Sequence, residues 1–330
     1  MSTPNNQREL TFVEAIREAL AEEMRHDEAV VLLGEDVAAA GGIFKASAGL
    51  LEEFGPQRVL DTPISEAGIA GVAVGLALTQ MRPVVEIMFG DFTTQTMDQM
   101  VNQAAKAHYM SGGKLAAPLV MRTTMGAGRR SAAQHSQSLY AWFCHIPGLK
   151  VAIPSTPYDA KGLLKSAIRD NNPVIFFEDK MMYQLKGPVP TEEYTIPLGQ
   201  ADIKREGEDI TIIATSSMVH VALKAADQLA GQGISAEVID PRSLFPLDAE
   251  TLIASAKKTS RVIVIDEAYR RYGITGELAA TVAEGAFYYL DAPVRRLAAL
   301  DTPVPFSPAL EDLTIPNEAL LVKTALELVR

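Results

Sequence analysis

The stretch Ser65–Phe89, SEAGIAGVAVGLALTQMRPVVEIMF, decides the fold. Its first part, Ser65–Gln80, reads as a helix opened by a capping serine. Its second part, Arg82–Phe89, is a short apolar run that reads as a buried strand. Helix then strand is a repeating unit, and the unit recurs on both sides. Upstream, Thr11–His26 is an amphipathic pattern in which Thr11 and Glu14 have the spacing of a capping box. After it, AVVLLGED reads as a buried strand ending in acids. Downstream, APLVMRTT (Ala117–Thr124), LKVAIP (Leu149–Pro154) and NPVIFFED (Asn172–Asp179) read as strands, and Asp91–Ser111 and Tyr158–Arg169 as helices. Such alternation predicts a parallel sheet covered by helices on both faces.

The texture changes at Leu185–Gly199, LKGPVPTEEYTIPLG, where prolines and acids follow no period. It reads as an interdomain linker. Alternation then restarts with DITIIAT, a helix over Ser217–Ala230, SAEVID, a helix over Asp248–Lys258, RVIVID, a helix over Gly273–Ala286, and VRRLAAL. The expected organisation is a first α/β domain over 1–186, a linker over 187–199 and a smaller α/β domain over 200–330.

Of 330 residues, 48% are hydrophobic and 22% charged, and the net charge is -11. The chain carries -5 through residue 199 and -6 beyond it, so neither half is a basic, nucleic-acid-binding module. A single cysteine, Cys144, excludes an intrachain disulfide, and no Cys/His cluster has zinc spacing. MSTPNNQREL at the start lacks the apolar core of a signal peptide. The longest apolar stretch, Ala67–Leu78, is too short to span a bilayer. The expectation is a cytoplasmic protein with no membrane or nucleic-acid partner.

The common phosphate, metalloprotease, nucleophile-elbow and dithiol motifs are absent. GAGRRS at Gly126 lacks the third glycine of a dinucleotide fingerprint and reads as a loop. Two polar constellations remain. In LDTPISEAGIAG, Ser65 caps a helix and Glu66 sits in its first turn. There it either complements the helix dipole, worth about 0.3–1 kcal/mol, or does chemistry. Gly68, Gly71 and Gly75 leave one face of that helix without bulk, which predicts a close packing interface. In QHSQ, Gln134–Gln137, His135 is either a polar residue satisfied by its neighbours or a proton carrier near neutral pH. His108 reads as structural or near a helix end.

VLDTPISEAGIAGVAVGLAL, AAQHSQSLYAWFCHIPGLKVAIPSTPYDAKGLLKSAIRDNNPVIFFED, DPRSLFPLD and TPVPFSPALEDL occur in this order. Together they strongly resemble the beta subunit of the thiamine-diphosphate-dependent component of 2-oxo acid dehydrogenase complexes, the family of the pyruvate, branched-chain 2-oxo acid and acetoin dehydrogenases. The resemblance runs from about Leu10 to the C-terminus. It implies a transketolase-like α/β fold: a parallel-sheet pyrimidine-binding domain, then a smaller transketolase C-terminal-type domain. It also implies an alpha2-beta2 heterotetramer with an alpha subunit, a lipoyl acyltransferase as further partner, and a small carbonyl substrate of the acetoin or pyruvate kind. The family's Gly-Asp-Gly diphosphate motif is absent here. The resemblance therefore assigns magnesium and the diphosphate to the alpha subunit, and the pyrimidine half of thiamine diphosphate to this chain.

Carried over by resemblance, Glu66 is the carboxyl that bonds the pyrimidine ring nitrogen and favours the imino tautomer that deprotonates the thiazolium carbon. Phe92 packs on the pyrimidine, and Ile64 and Gln95 line the same pocket. His135 serves proton transfer or positions lipoyl and substrate. Leu119, Ala167, Ile168, Asp170 and Asn172 correspond to a potassium site; unaided, IRDNNPV reads as a helix end running into a strand. The other readings open at this point are a branched-chain beta subunit, a non-catalytic docking subunit that needs neither Glu66 nor His135, and a self-sufficient synthase. The missing motif and short length oppose the last.

Overall fold

The computed structural model describes residues 7–329; the first six residues of MSTPNNQREL lie outside them. The chain forms two compact units. The first comprises residues 1–125 and 142–198, the second 126–141 and 199–330. In chain order the elements are β1 (Gln7–Thr11), α1 (Phe12–His26), β2 (Val30–Gly34), α2 (Leu50–Phe54), β3 (Val59–Asp61), α3 (Glu66–Leu78), β4 (Arg82–Ile87), α4 (Ala105–Met110), β5 (Val120–Met125), α5 (Tyr140–Cys144), β6 (Lys150–Ala152), α6 (Pro157–Arg169), β7 (Val174–Asp179) and β8 (Lys186–Pro190). There follow β9 (Asp202–Arg205), β10 (Ile210–Ala214), α7 (Met218–Ala230), β11 (Ala236–Asp240), β12 (Ser243–Phe245), α8 (Ala249–Thr259), β13 (Val262–Tyr269), α9 (Ile274–Ala286), β14 (Arg295–Ala299), α10 (Pro308–Thr314) and α11 (Glu318–Val329).

In the first unit the parallel strands run in the order β6-β7-β5-β4-β2-β3. Leu32 sits beside Val84, Val85 beside Met121, and Thr123 beside Phe177. The strands are buried on both faces, which is why they read as continuous apolar runs rather than alternating ones. One face carries α1 and α6. Phe12, Ile16 and Leu20 pack with Leu163, Leu164, Ile168 and Phe176 in a single core. Thr11 caps α1 as expected: Glu14 N–H donates to its hydroxyl and Thr11 N–H donates to the Glu14 carboxylate. Lys161 and Lys165 of α6 are fully buried as they cross to Glu18 and Glu22 of α1. Burial pushes the Glu22 carboxyl up, but these two ammonium groups more than offset it.

The sheet's interior is not wholly apolar. Arg122 on β5 is the largest fully buried side chain. It gives a forked pair of bonds to Glu178 on β7, at 2.7 and 2.9 Å, and a third at 2.9 Å to Glu86 on β4. Tyr183 donates to the same Glu178 at 2.7 Å. Burial opposes the guanidinium's charge, but the two carboxylates hold the proton on it more firmly than usual.

Two expectations need correction. The proline-rich stretch is not simply a linker, because its residues 186–190 form β8, paired antiparallel with β1 in a ribbon from Gln7↔Pro190 to Thr11↔Lys186. Within the stretch expected as the first domain, 1–186, Gly126–Ala141 groups with the second unit by its contacts. The helix expected over Asp91–Ser111 is a 3₁₀ turn over Gly90–Thr96, a π-helical stretch over Asp98–Ala104, and then α4. The cause is local: the hydroxyls of Thr93, Thr94 and Thr96 each donate to the carbonyl three residues back, at 2.6, 3.0 and 2.8 Å, which favours tighter winding. The glycine face of α3 is exposed, with Gly68, Gly71 and Gly75 at the surface of this chain.

In the second unit the order is β14-β13-β10-β11-β9, parallel except for the antiparallel edge strand β9. Ile210, Ile212 and Val238 share a core with Val219, Ala222 and Ala226 of α7 and Leu321 and Ala325 of α11. Thr211 turns the other way and bonds Ser255 and Thr259 of α8. Among the described residues no helix is long and apolar enough to cross a membrane.

Replacing Arg122 with Leu should leave Glu86 and Glu178 buried without a counter-charge. The expected loss is about 3–5 kcal/mol of stability, read from urea unfolding of the full chain. A loss under about 1 kcal/mol would show that the pair's own desolvation cost cancels its attraction.

Candidate active site

The C-terminal ends of β2 and β3 lead into the loops that build the first half of the site, as expected for an open parallel sheet. Asp61, the last residue of β3, accepts the Ala38 N–H at 2.7 Å and ties the loop after β2 to the approach to α3. Ser65 caps α3, its hydroxyl accepting the Gly68 N–H at 3.4 Å. Glu66 is the helix's first residue, yet only 6% exposed. A carboxylate serving the helix dipole alone has no reason to leave water, so burial favours the chemical reading. Glu35, just past β2, faces the same acid. Burial first, then the charges of Glu66 and Asp36, push the Glu35 carboxyl above its ordinary value. Nearby, Thr62 Oγ1 is buried and makes no hydrogen bond.

The 3₁₀ turn packs on α3 and carries Phe92 and Gln95. Phe92 is half-buried and meets Phe89 edge-on at 5.6 Å. Phe89 meets Phe44, and Phe44 meets Tyr183, the phenol that bonds Glu178. The aromatic wall is thus braced on the Arg122 cluster. Ile64, 83% exposed, and Gln95, also exposed, complete the group. Ile64, Glu66, Phe92 and Gln95 all belong to the first unit. One buried acid, Glu66, and one half-buried acid, Glu35, thus lie at the head of α3, with the aromatic Phe92 on the turn that packs against that helix. No motif marks Glu35, Glu86 or Arg122 in the sequence; their one trace is a charged residue inside or ending an apolar strand.

His135 lies on the second unit, within Gly126–Ala141. It is half-buried, and its backbone N–H reaches the Ala132 carbonyl at 3.5 Å. Gly126 and Gly128 have φ of 92° and 96°, and Arg130 and Ala132 have φ of 59° and 61°. Left-handed backbone at each non-glycine costs about 1–2 kcal/mol, so surrounding contacts must hold it. They lie at both ends. Glu311 of α10 accepts the Gly128 N–H and an Arg130 N–H, each at 2.7 Å. At the other end Ser138 donates to Glu267 at 2.8 Å, and the Tyr140 and Thr215 hydroxyls both donate to Asp266. Burial, then the charges of Asp266 and Glu267, push the Tyr140 phenol well above its ordinary value; burial also pushes Asp266 up. His108, in the last turn of α4, bonds the Leu115 carbonyl at 2.9 Å and is structural, as expected.

The turn after α6 brings Leu119, Ala167, Ile168, Asp170 and Asn172 together. Their main-chain oxygens already accept hydrogen bonds. Leu119 O takes Val174 N–H at 2.9 Å, Ala167 O takes Asp170 N–H at 3.3 Å, and Arg82 reaches both Ile168 O and Asp170 O at 3.0 Å. The Asp170 carboxylate binds Lys150 and the Asn172 N–H and amide. Burial raises its pKa, but these partners bring it below the ordinary value, so its stabilisation is lost as pH falls. Each of these carbonyls keeps a second lone pair, and two basic side chains, Arg82 and Lys150, stand beside the turn. No cluster of His, Cys, Asp or Glu suited to a metal occurs among the described residues.

Two α/β units with this strand order define a transketolase-like chain. The family model for the transketolase pyrimidine-binding domain matches residues 8–186, and that for the transketolase C-terminal domain matches 199–320. A solved structure described as a split-gene transketolase, an inactive beta4 tetramer, superposes with a TM-score of 0.77 over 97% of this chain and 99% of that one; at 24% identity it supports the fold alone. Three relatives come from Bacillus subtilis (strain 168). The chain is 54% identical to the beta subunit of acetoin:2,6-dichlorophenolindophenol oxidoreductase, covering 98% of each chain. It is 49% identical to the beta subunit of the pyruvate dehydrogenase E1 component, covering 96% of this chain and 98% of that one. It is 47% identical to the beta subunit of 2-oxoisovalerate dehydrogenase, covering 93% and 95%. The chain belongs to the family of beta subunits of the thiamine-diphosphate-dependent acetoin and 2-oxo acid dehydrogenases.

Proposed function

We propose that this beta subunit works with an alpha subunit on acetoin, cleaving it and passing the acyl group to a lipoyl acyltransferase. Burial of Glu66 at the head of α3, beside Glu35, carries the catalytic reading. The preference for acetoin rests on 54% identity to the acetoin relative against 49% and 47% to the pyruvate and 2-oxoisovalerate relatives of the same organism. Thiamine diphosphate, when bound, supplies a thiazolium carbon that adds to carbonyls and accepts the electrons released on cleavage. Glu66 would hold a proton against the pyrimidine nitrogen and so set the ring's tautomer. Phe92 and Ile64 would fix the ring's plane and keep water from it, and Gln95 would line its edge. Magnesium and the diphosphate fall to the alpha subunit, since this chain lacks the Gly-Asp-Gly motif. His135 would serve transfer to the lipoyl group, since an imidazole has one nitrogen to give a proton and one to accept it. Potassium would sit against the free lone pairs of Leu119, Ala167, Ile168 and Asp170, with Asn172 beside it, and brace the strand ends.

The chain alone should be inactive. With the cognate alpha subunit, magnesium and thiamine diphosphate, acetoin should support faster dye reduction than pyruvate or a branched-chain 2-oxo acid. In that tetramer, Glu66→Gln should slow hydrogen–deuterium exchange at the thiazolium carbon by about 10²–10⁴. Turnover by the chain alone, a preference for pyruvate, or normal exchange would each refute the corresponding part. His135→Asn should lower the rate of the complete complex about tenfold more than the dye rate, equivalent to roughly 1.4 kcal/mol. Equal losses would move His135 to an earlier step. Exchanging sodium for potassium at fixed ionic strength should raise the tetramer's melting temperature; equal values would remove the cation from the turn.

A further inference from the structure

We propose that Glu311 is a positioning residue for the segment that carries His135, acting from α10, a part of the chain with no role in the reading above. The inference rests on the acyl-transfer role given to His135. Glu311 is 1% exposed, so its carboxylate has left water for specific partners. One oxygen takes the Gly128 N–H and the other takes Arg130, both at 2.7 Å, across 183 and 181 residues of chain. Arg130 also reaches Asp312 at 2.7 Å and the Pro308 carbonyl at 3.4 Å.

The carboxylate therefore grips the segment where its backbone is least favourable. Gly128 and Arg130 both have positive φ, as does Ala132 two residues on. A disfavoured conformation of this kind persists only where contacts fix it. The far end is fixed independently, by Ser138 on Glu267 and Tyr140 on Asp266. His135 lies between the two clamps, so releasing one lets the imidazole swing about the other. The second clamp is built of strand β13 and is hydroxyl-mediated; the first is an ion pair with one half-exposed partner, and is the one that substitution can open without emptying the core. Small displacements of a proton-transfer group lower rates by an order of magnitude or more.

The experiment uses the assembled tetramer with its acyltransferase and compares two rates, the complete complex and dye reduction. Glu311→Gln keeps an acceptor for Gly128 and removes the anion from Arg130. Arg130→Gln breaks the same pair from its more exposed side, and serves if the buried substitution fails to fold. Each should lower the complex-to-dye ratio about tenfold. Hydrogen–deuterium exchange of peptides covering 126–141 should quicken in both. Added to His135→Asn, Glu311→Gln should change the ratio by less than about twofold, because it acts through that side chain. The proposal is overturned if both rates fall together, if the ratio falls equally in the His135→Asn background, or if exchange over 126–141 is unchanged. Quicker exchange with no change of ratio in Glu311→Gln or in His135→Asn upholds the clamp and overturns the reading of His135 instead.

Discussion

Arg122 fixes the ground on which the first half of the site stands. A guanidinium in the middle of a parallel sheet must be met by anions, and it meets two, from the strands on either side. Its planar fork imposes direction as well as charge, so β4, β5 and β7 are held in register at their C-terminal ends. The bond from Tyr183 to Glu178 extends that order outward. Tyr183, Phe44, Phe89 and Phe92 then touch in series, from the buried ions to the aromatic wall of the pocket. Burial also pushes the Glu86 carboxyl up, with Arg122 opposing and Glu178 adding to the shift.

Acids also meet at the head of α3. Burial, then the charges of Glu66 and Asp36, raises the cost of ionising Glu35. The chain also lacks the Gly-Asp-Gly motif, in keeping with the proposed division of the cofactor between it and an alpha subunit.

Much of this was legible in the residues. The capping box at Thr11, the strands rich in Val and Ile, and the helices between them follow from rules that act over a few residues. Where the reading failed, a longer-range or finer effect had won. The threonines after Gly90 rewound an expected α-helix through bonds to their own backbone. Lys186–Pro190 became a strand only because β1, at the other end of the unit, lies beside it. Glu66 is ambiguous in sequence because a dipole-complementing acid and a catalytic acid occupy the same first-turn position; its low exposure is a tertiary quantity that the sequence does not carry, and it supports the proposed catalytic reading. For His135 the local sequence is silent, since its neighbours are small and neutral.

The sequence by itself determined the α/β class, the two units, most helices and strands, and the family, because each is written in periodicity or in long ordered motifs. Tertiary structure decided which unit owns Gly126–Ala141. That segment sits between two stretches of the first unit, but its partners, Glu311, Glu267 and Asp266, come from the second. Tertiary structure also decided that an arginine would lie inside the sheet and that Glu35 and Glu66 would come near one another. These depend on contacts between residues tens to hundreds of positions apart. Burial and charge there are properties of the assembled neighbours, and no local pattern encodes them.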